Sequence, residues 1–232
     1  MIRGDFIQAL KKKKVLILGG IGNGTVIAYA INDAYEPGQS DLFVAGFLND
    51  REVVGSKIEG FSVLGKTNEI QRFLSEDYLI INTIYRIDGN EKRIENLKKL
   101  KIPDEKFVSF IHPSAYVTKN VKIGNGVIIM PNVSISSGVE IGNNSLIMVN
   151  ATIGHNSKIG KYCHIAAQSS IGSFVNIQNG IHIGLNATIR ENCVLGKFSS
   201  LGMGSVLLNN IGEKEIWVGN PAKLLRTKKT ET

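Results

Sequence analysis

From Ile111 onward every sixth residue is aliphatic: Val117, Ile123, Ile129, Ile135, Ile141, Ile147, Ile153, Ile159, Ile165, Ile171, Ile177, Ile183, Ile189, Leu195, Leu201 and Leu207. Four residues behind each rung runs a second series of small or β-branched residues, from Ala115 and Val121 through Ser145, Ser157, Cys163 and Ser169 to Cys193, Ser199 and Ser205. A period of six excludes an α-helix, whose apolar stripe recurs every 3.6 residues. It fits a solenoid in which three six-residue faces close one triangular coil, and successive coils pair about 4.8 Å apart with the ladder inside. Glycine or asparagine often follows the rung, as in Ile123-Gly124-Asn125-Gly126, and is expected to supply the tight corners. Nothing interrupts the series, so the prism should carry no protruding loop between 111 and 207.

Composition narrows the class further. The 232 residues carry a net charge of +7, owed largely to Lys11–Lys14, the lysines of 92–101 and Lys228–Lys229. No compact basic and aromatic patch accompanies that charge, so solvated lysines are favoured over a nucleic-acid surface. No apolar run reaches the roughly 18 to 20 residues of a membrane span. The opening residues show no charged lead with a long apolar stretch behind it, so the expected location is cytoplasmic, without membrane attachment. Cys163 and Cys193, the two cysteines, fall at small interior positions of the repeat and read as packing residues rather than a disulfide or metal pair.

Residues 15–110 lack the ladder. Lys14-Val15-Leu16-Ile17-Leu18 is a buried parallel-strand pattern that runs into Gly19-Gly20-Ile21-Gly22-Asn23-Gly24 and then the helix-like Thr25–Ala30. Strand, glycine loop and helix suit phosphate, because backbone N–H groups and the helix dipole converge there. The spacing G-x-x-G-x-G is not the dinucleotide fingerprint. A second strand, Leu42–Leu48, ends in Asn49-Asp50, and a third, Tyr78–Ile81, ends in Asn82-Thr83. Polar residues at adjacent parallel-strand ends are where open α/β sheets bind ligands. The expected division is an extension over 1–14, a Rossmann-like α/β domain over 15–110, a parallel β-helix over 111–211 and a C-terminal cap and tail over 212–232.

These features together resemble the hexapeptide-repeat nucleotide-sugar acetyltransferases related to sialic acid O-acetyltransferase and to the UDP-4-amino-sugar N-acetyltransferases of surface-glycan synthesis. The resemblance extends over nearly the whole chain after residue 14. It implies a left-handed winding, a homotrimer with active sites between subunits, acetyl-CoA as co-substrate, no metal, and a nucleotide-linked amino sugar as acceptor. The implied nucleotide-sugar contacts are Ile21, Gly22, Asn23, Asn49, Asp50 and Thr83. Asn23 stands where the family often has histidine, and Asn49 where it often has an acidic residue. Ile216–Lys223 is similar to the family's Val-Gly-x-Pro-Ala-Lys closing motif, which would place Lys223 beside CoA, and the same segment can also cap the open end of the solenoid.

Acetyl transfer from a thioester needs a base for the acceptor's proton and donors for the developing oxyanion. His155, two positions after rung Ile153, matches the family's base. Asn156 takes the place of the acidic residue that usually follows and orients the ring. His164 matches a contact to the thioester, Ser173 the oxyanion or thioester donor one coil above His155, and Leu185 and Met203 the lining of the CoA channel. Met148 occupies a position often held by asparagine. His182, eighteen residues after His164, should stack on it, with no role implied. The expected function is N-acetylation of a 4-amino-4,6-dideoxy sugar on a nucleotide. The alternatives are a sugar O-acetyltransferase and a non-catalytic nucleotide-sugar-binding protein, while a histidine-ligated zinc hydrolase on the same solenoid would need closer histidine spacing.

Overall fold

The computed structural model describes residues 12–36, 38–85 and 90–228. Most of the expected N-terminal extension and the last four residues lie outside these. The N-terminal unit is a five-stranded sheet of order β3-β4-β2-β1-β5, built from β1 (Lys13–Leu18), β2 (Leu42–Leu48), β3 (Lys57–Ile58), β4 (Phe61–Gly65) and β5 (Leu79–Asn82). β1 lies inside the sheet, between β2 and β5 and parallel to both, with Val15, Leu16, Ile17 and Leu18 fully buried. That explains why it reads as an unbroken apolar run. α1 (Asn23–Tyr35) packs Ile27, Ala28 and Ile31 on one face of the sheet; α2 (Ile70–Ser75) and α3 (Asn90–Lys99) pack Ile70, Phe73 and Leu97 into a cluster with Leu16 and Leu18. The β3–β4 hairpin and α2 fall between the second and third strands read from the sequence, a stretch whose periodicity is too short to register.

Beyond it, seventeen two-residue strands, β6 (Phe110–Ile111) to β22 (Val206–Leu207), wind a left-handed β-helix. Each strand pairs in parallel with the one eighteen residues away, as Ser134–Ile135 does with Thr152–Ile153. The rungs from Ile129 to Leu207 are all nearly or fully buried, each removing an aliphatic side chain from water for about 1.5 to 3 kcal/mol. Ile111 departs from the expected interior ladder, being 43 % exposed, because the first coil has no coil beneath it. The outward residues define three faces. The first carries Phe110, Ile128, Leu146, His164, His182 and Ser200; the second Tyr116, Ser134, Thr152, Ser170, Thr188 and Val206; the third Lys122, Glu140, Lys158, Asn176 and Val194.

The corners correct one expectation. Left-handed backbone lies three residues after the rung, at Asn132, Asn144, Asn150, Asn156 and Phe174 among others, with φ between 56° and 60° at these five. Asparagine tolerates that region better than most residues, and phenylalanine occupies it only because the stack holds it there. Glycines directly after the rung serve a different purpose. A Cβ on Gly154 would meet Gly172 C and Ser173 N at 2.6 Å, both backbone atoms of the next coil. Gly154→Ala is therefore expected to force two coils apart, destabilising by about 1 to 3 kcal/mol and displacing Ser173. A thermal melt and turnover measured on the same sample check this, and wild-type values for both would show that the coils separate at no cost.

The second series also has a purpose beyond being small. Ser145 Oγ donates to Gly160 O at 2.7 Å and accepts from Cys163 N at 3.0 Å, and Ser157 repeats the pattern with Gly172 O and Val175 N. These hydroxyls stitch coils from inside. Cys163 behaves as the packing residue expected: it is fully buried, and burial pushes its thiol up to about 12. At the top the period changes. Leu195 bridges to Ile211 and Leu201 pairs with Trp217, each two residues short of eighteen, so the stack runs past the expected last rung at Leu207. Ser199 Oγ, buried beneath this shortened coil, has no hydrogen-bond partner among the described residues. The hairpin of β23 (Glu215–Gly219) and β24 (Ala222–Thr227) then closes that end.

Candidate functional site

His155 sits in the corner between β13 (Thr152–Ile153) and β14 (Lys158–Ile159), on the edge where the second face meets the third. Its Nδ1 lies 3.0 Å from Asn156 Oδ1. An amide oxygen only accepts, so Nδ1 carries the proton and Nε2 presents its lone pair outward. Asn156 does two things at once: its backbone takes the left-handed corner at φ 60° and its side chain fixes the ring. The imidazole also meets Phe174 edge to face at 4.9 Å, and Phe174 N donates to His155 O at 3.0 Å. Ser173 lies one coil above on the same edge. Three of the sequence-predicted residues are thus together, on a solvent-exposed edge supported from inside by Ile153 and Ser157.

The others are elsewhere on this chain. Leu185 and Met203 stack one coil apart on the edge between the first and second faces, 53 % and 77 % exposed, linked by Gly204 N to Leu185 O at 2.8 Å. Lys223 is exposed on the closing hairpin. His164 stands on the first face, opposite the His155 edge. Its Nδ1 lies 2.9 Å from Nδ1 of His182, with the rings stacked, and Tyr85 of the N-terminal unit stacks on its other side at 5.6 Å. Tyr85 Oη donates to Asn144 O at 2.6 Å. Burial and the neighbouring His182 hold His164 down to about 3, and burial with the nearby Lys228 ammonium holds His182 down to about 4. The pair is neutral, and His164 Nε2 is buried without a hydrogen-bond partner among the described residues.

The glycine loop opens on a cleft of about 430 Å³ at the carboxyl ends of β1, β2 and β5, lined in part by Gly19, Gly20, Ile21, Asn49, Asp50 and Thr83. Ile21 projects at its mouth, 74 % exposed, while Gly22, at φ 95°, and Asn23 begin α1 beside it. The polar groups at the strand ends are already used within the fold. Asn49 donates to Gly19 O and accepts from Arg51 N and Glu52 N; Asp50 accepts from Thr67 N and Oγ1; Thr83 Oγ1 donates to Leu18 O. The glycines follow suit: a Cβ on Gly19 would strike Thr83 Oγ1, and one on Gly20 would meet Asn49 Nδ2 at 2.7 Å, while Gly22 faces open space.

A second cavity of about 340 Å³ continues from the first under α3, sharing Asp50, Thr67, Ile84, Tyr85 and Arg93 and reaching Tyr162 on the β-helix. Thr67, Tyr85 and Arg93 escaped the sequence reading. Tyr85 follows the third strand by a few residues and could have been found there; Arg93 is one cation among several on an ordinary charged helix. Among the described residues no three His, Cys, Asp or Glu side chains converge as metal ligands, and no helix is long and apolar enough to cross a membrane.

A family profile described as the GMPPB C-terminal domain matches residues 107–216, the β-helix without the N-terminal sheet. UDP-N-acetylbacillosamine N-acetyltransferase of Bacillus subtilis is 30 % identical over 120 residues, which is 51 % of this chain and 51 % of that protein. The chain thus spans about half the length of this curated relative. The acetyltransferase domain of PglB from Neisseria gonorrhoeae superposes with a TM-score of 0.79 at 25 % identity, covering 92 % of this chain and 100 % of that one. A variant of perosamine N-acetyltransferase from Caulobacter crescentus, solved with CoA and GDP-perosamine, gives 0.79 at 22 % identity over 91 % and 96 % of the two chains. The architecture, an α/β unit joined to a left-handed β-helix, is shared with these solved acetyltransferases, in agreement with the resemblance drawn from the sequence. Two of these relatives are named as N-acetyltransferases, one of UDP-N-acetylbacillosamine and one of perosamine.

Proposed function

We propose that this chain transfers an acetyl group from acetyl-CoA to the amino group of a nucleotide-linked amino-deoxy sugar, with His155 as general base. The observation that carries the reading is the His155–Asn156–Ser173 edge: a ring fixed through Nδ1, a free Nε2 lone pair, and a backbone N–H one coil above. In the reaction the amine lone pair attacks the thioester carbonyl and His155 Nε2 removes the ammonium proton. The Ser173 N–H meets the developing oxyanion. Collapse breaks the C–S bond, and the departing CoA thiolate takes the proton back from the imidazolium, with no covalent enzyme intermediate.

The reading also calls for a trimer. His155 and the pair Leu185–Met203 occupy different edges of one prism, so a base and a CoA channel meet only when copies stand side by side. The second face lies between those edges, and its outward residues Ser134, Thr152, Ser170 and Thr188 are small enough for close approach. Leu185 and Met203 on one side and Phe174 on the other, each more than half exposed, suit such an interface. In this assembly His164, whose Nε2 has no partner among the described residues, contacts the thioester, and Lys223 the rest of CoA. Ile21, Gly22 and Asn23 receive the nucleotide-sugar, while Asn49, Asp50 and Thr83 shape the cleft. The N-acetyl assignment follows the named relatives, and the expected cytoplasmic location suits an enzyme that draws on acetyl-CoA.

The test is incubation of the chain with acetyl-CoA and UDP-, dTDP- and GDP-linked 4-amino sugars, followed by mass spectrometry. One product heavier by a single acetyl group on nitrogen is expected. An acetylated hydroxyl would select O-acetylation instead, and tight binding of a nucleotide sugar with no transfer to any acceptor would leave a binding protein.

A further inference from the structure

We propose that Arg93 is the cation that clamps the diphosphate of the nucleotide-linked acceptor against the glycine loop; this rests on the nucleotide-sugar reading above. A diphosphate brings negative charge that backbone N–H groups alone meet only in part. The polar side chains at the strand ends cannot make up the difference, because Asn49, Asp50 and Thr83 are committed to the fold and none of the three is a cation. The ammonium of Lys66 is turned away onto the carbonyls of Asp50 and Glu52, at 3.0 and 2.6 Å.

Among the described residues two arginines line the cleft, Arg51 and Arg93. Arg51 is exposed at the rim, where solvent weakens an ion pair, whereas Arg93 is half-buried and lines both the glycine-loop cavity and its continuation under α3. Its helix is fixed to the β-helix at one end. Asn90 Nδ2 donates to Gly180 O at 3.0 Å and Tyr162 O at 3.4 Å, and Glu91 pairs with Lys214 at 3.1 Å. Leu97 on the same helix packs with Leu16 and Leu18 of the sheet, so Arg93 is held over the cleft by a helix that bears on both units. A guanidinium presents donors in a planar fork that suits two phosphate oxygens. A diphosphate held between the glycine loop and a helix that also touches the β-helix would register the sugar relative to the β-helix.

The experiment is calorimetric titration of the full chain with UDP, dTDP and GDP and with the matching nucleosides, for wild type, Arg93→Met and Arg93→Lys, alongside KM for acetyl-CoA. Loss of a charge-assisted contact to phosphate should weaken diphosphate binding by about 10- to 100-fold in Arg93→Met, with partial recovery in Arg93→Lys. Nucleoside affinity and the KM for acetyl-CoA should stay at wild-type values, which also certifies that the variant is folded. Diphosphate binding as tight as wild type in Arg93→Met would overturn the assignment, as would equal loss of nucleoside and diphosphate. Failure of the wild-type chain to bind any of the three diphosphates would instead overturn the acceptor reading, and the clamp with it.

Discussion

His155→Ala is expected to lower kcat by roughly 10²-fold or more while the proposed trimer and CoA binding persist, because removing a general base typically costs at least that factor. The structure makes the two halves of this expectation separable. His155 is exposed, its only side-chain partners are Asn156 and Phe174 among the contacts described, and the coil around it is held by Ile153 and Ser157 from inside. Truncating the ring therefore leaves the corner intact. Steady-state kinetics, light scattering and CoA titration on one preparation check all three parts. A variant that keeps more than about a tenth of wild-type kcat would rule out His155 as the base. Loss of the trimer would show that the edge is structural as well.

Acid should unfold the protein through a different pair of histidines. His164 and His182 titrate near 3 and 4 in the folded state, held down chiefly by burial beneath Tyr85 and the N-terminal unit. In the unfolded chain both return to about 6.5. Above that pH neither state is protonated, and the pair adds no pH dependence. As pH falls below it, the unfolded chain binds protons that the folded chain refuses, so stability declines until the folded pair itself titrates. The slope approaches two protons, which amounts to a loss on the order of 4 kcal/mol between pH 6.5 and 4.5. Urea unfolding across that range measures it, with the His164→Gln, His182→Gln double variant as reference, since carboxylates contribute to both. If wild type and the double variant lose stability in parallel, the histidines are not responsible.

Legibility differed sharply along the chain. The β-helix could be read because each rung repeats one physical demand, an aliphatic side chain inside a coil, seventeen times. Ile111 and the short top coil deviate because an end has only one neighbour. The strands of the N-terminal sheet were legible where both faces are buried, as in β1 and β2, and illegible over β3, β4 and α2, where elements of two to six residues carry too little periodicity. At the candidate site, His155 and Ser173 could be placed one above the other by counting eighteen residues. The employment of Asn49, Asp50 and Thr83 within the fold could not, since their partners Gly19, Thr67 and Leu18 are 17 to 65 residues away.

The six-residue ladder by itself determined the solenoid, its coil length and the heights of His155, Ser173, Leu185 and Met203, because in a stacked helix sequence distance is spatial distance modulo one coil. Tertiary structure alone decided what each edge faces. It set the N-terminal unit against the first face, buried the His164–His182 pair under Tyr85, and brought Arg93 across the cleft from the glycine loop. Those relations depend on packing between elements with unrelated periods, and no count along the chain contains them.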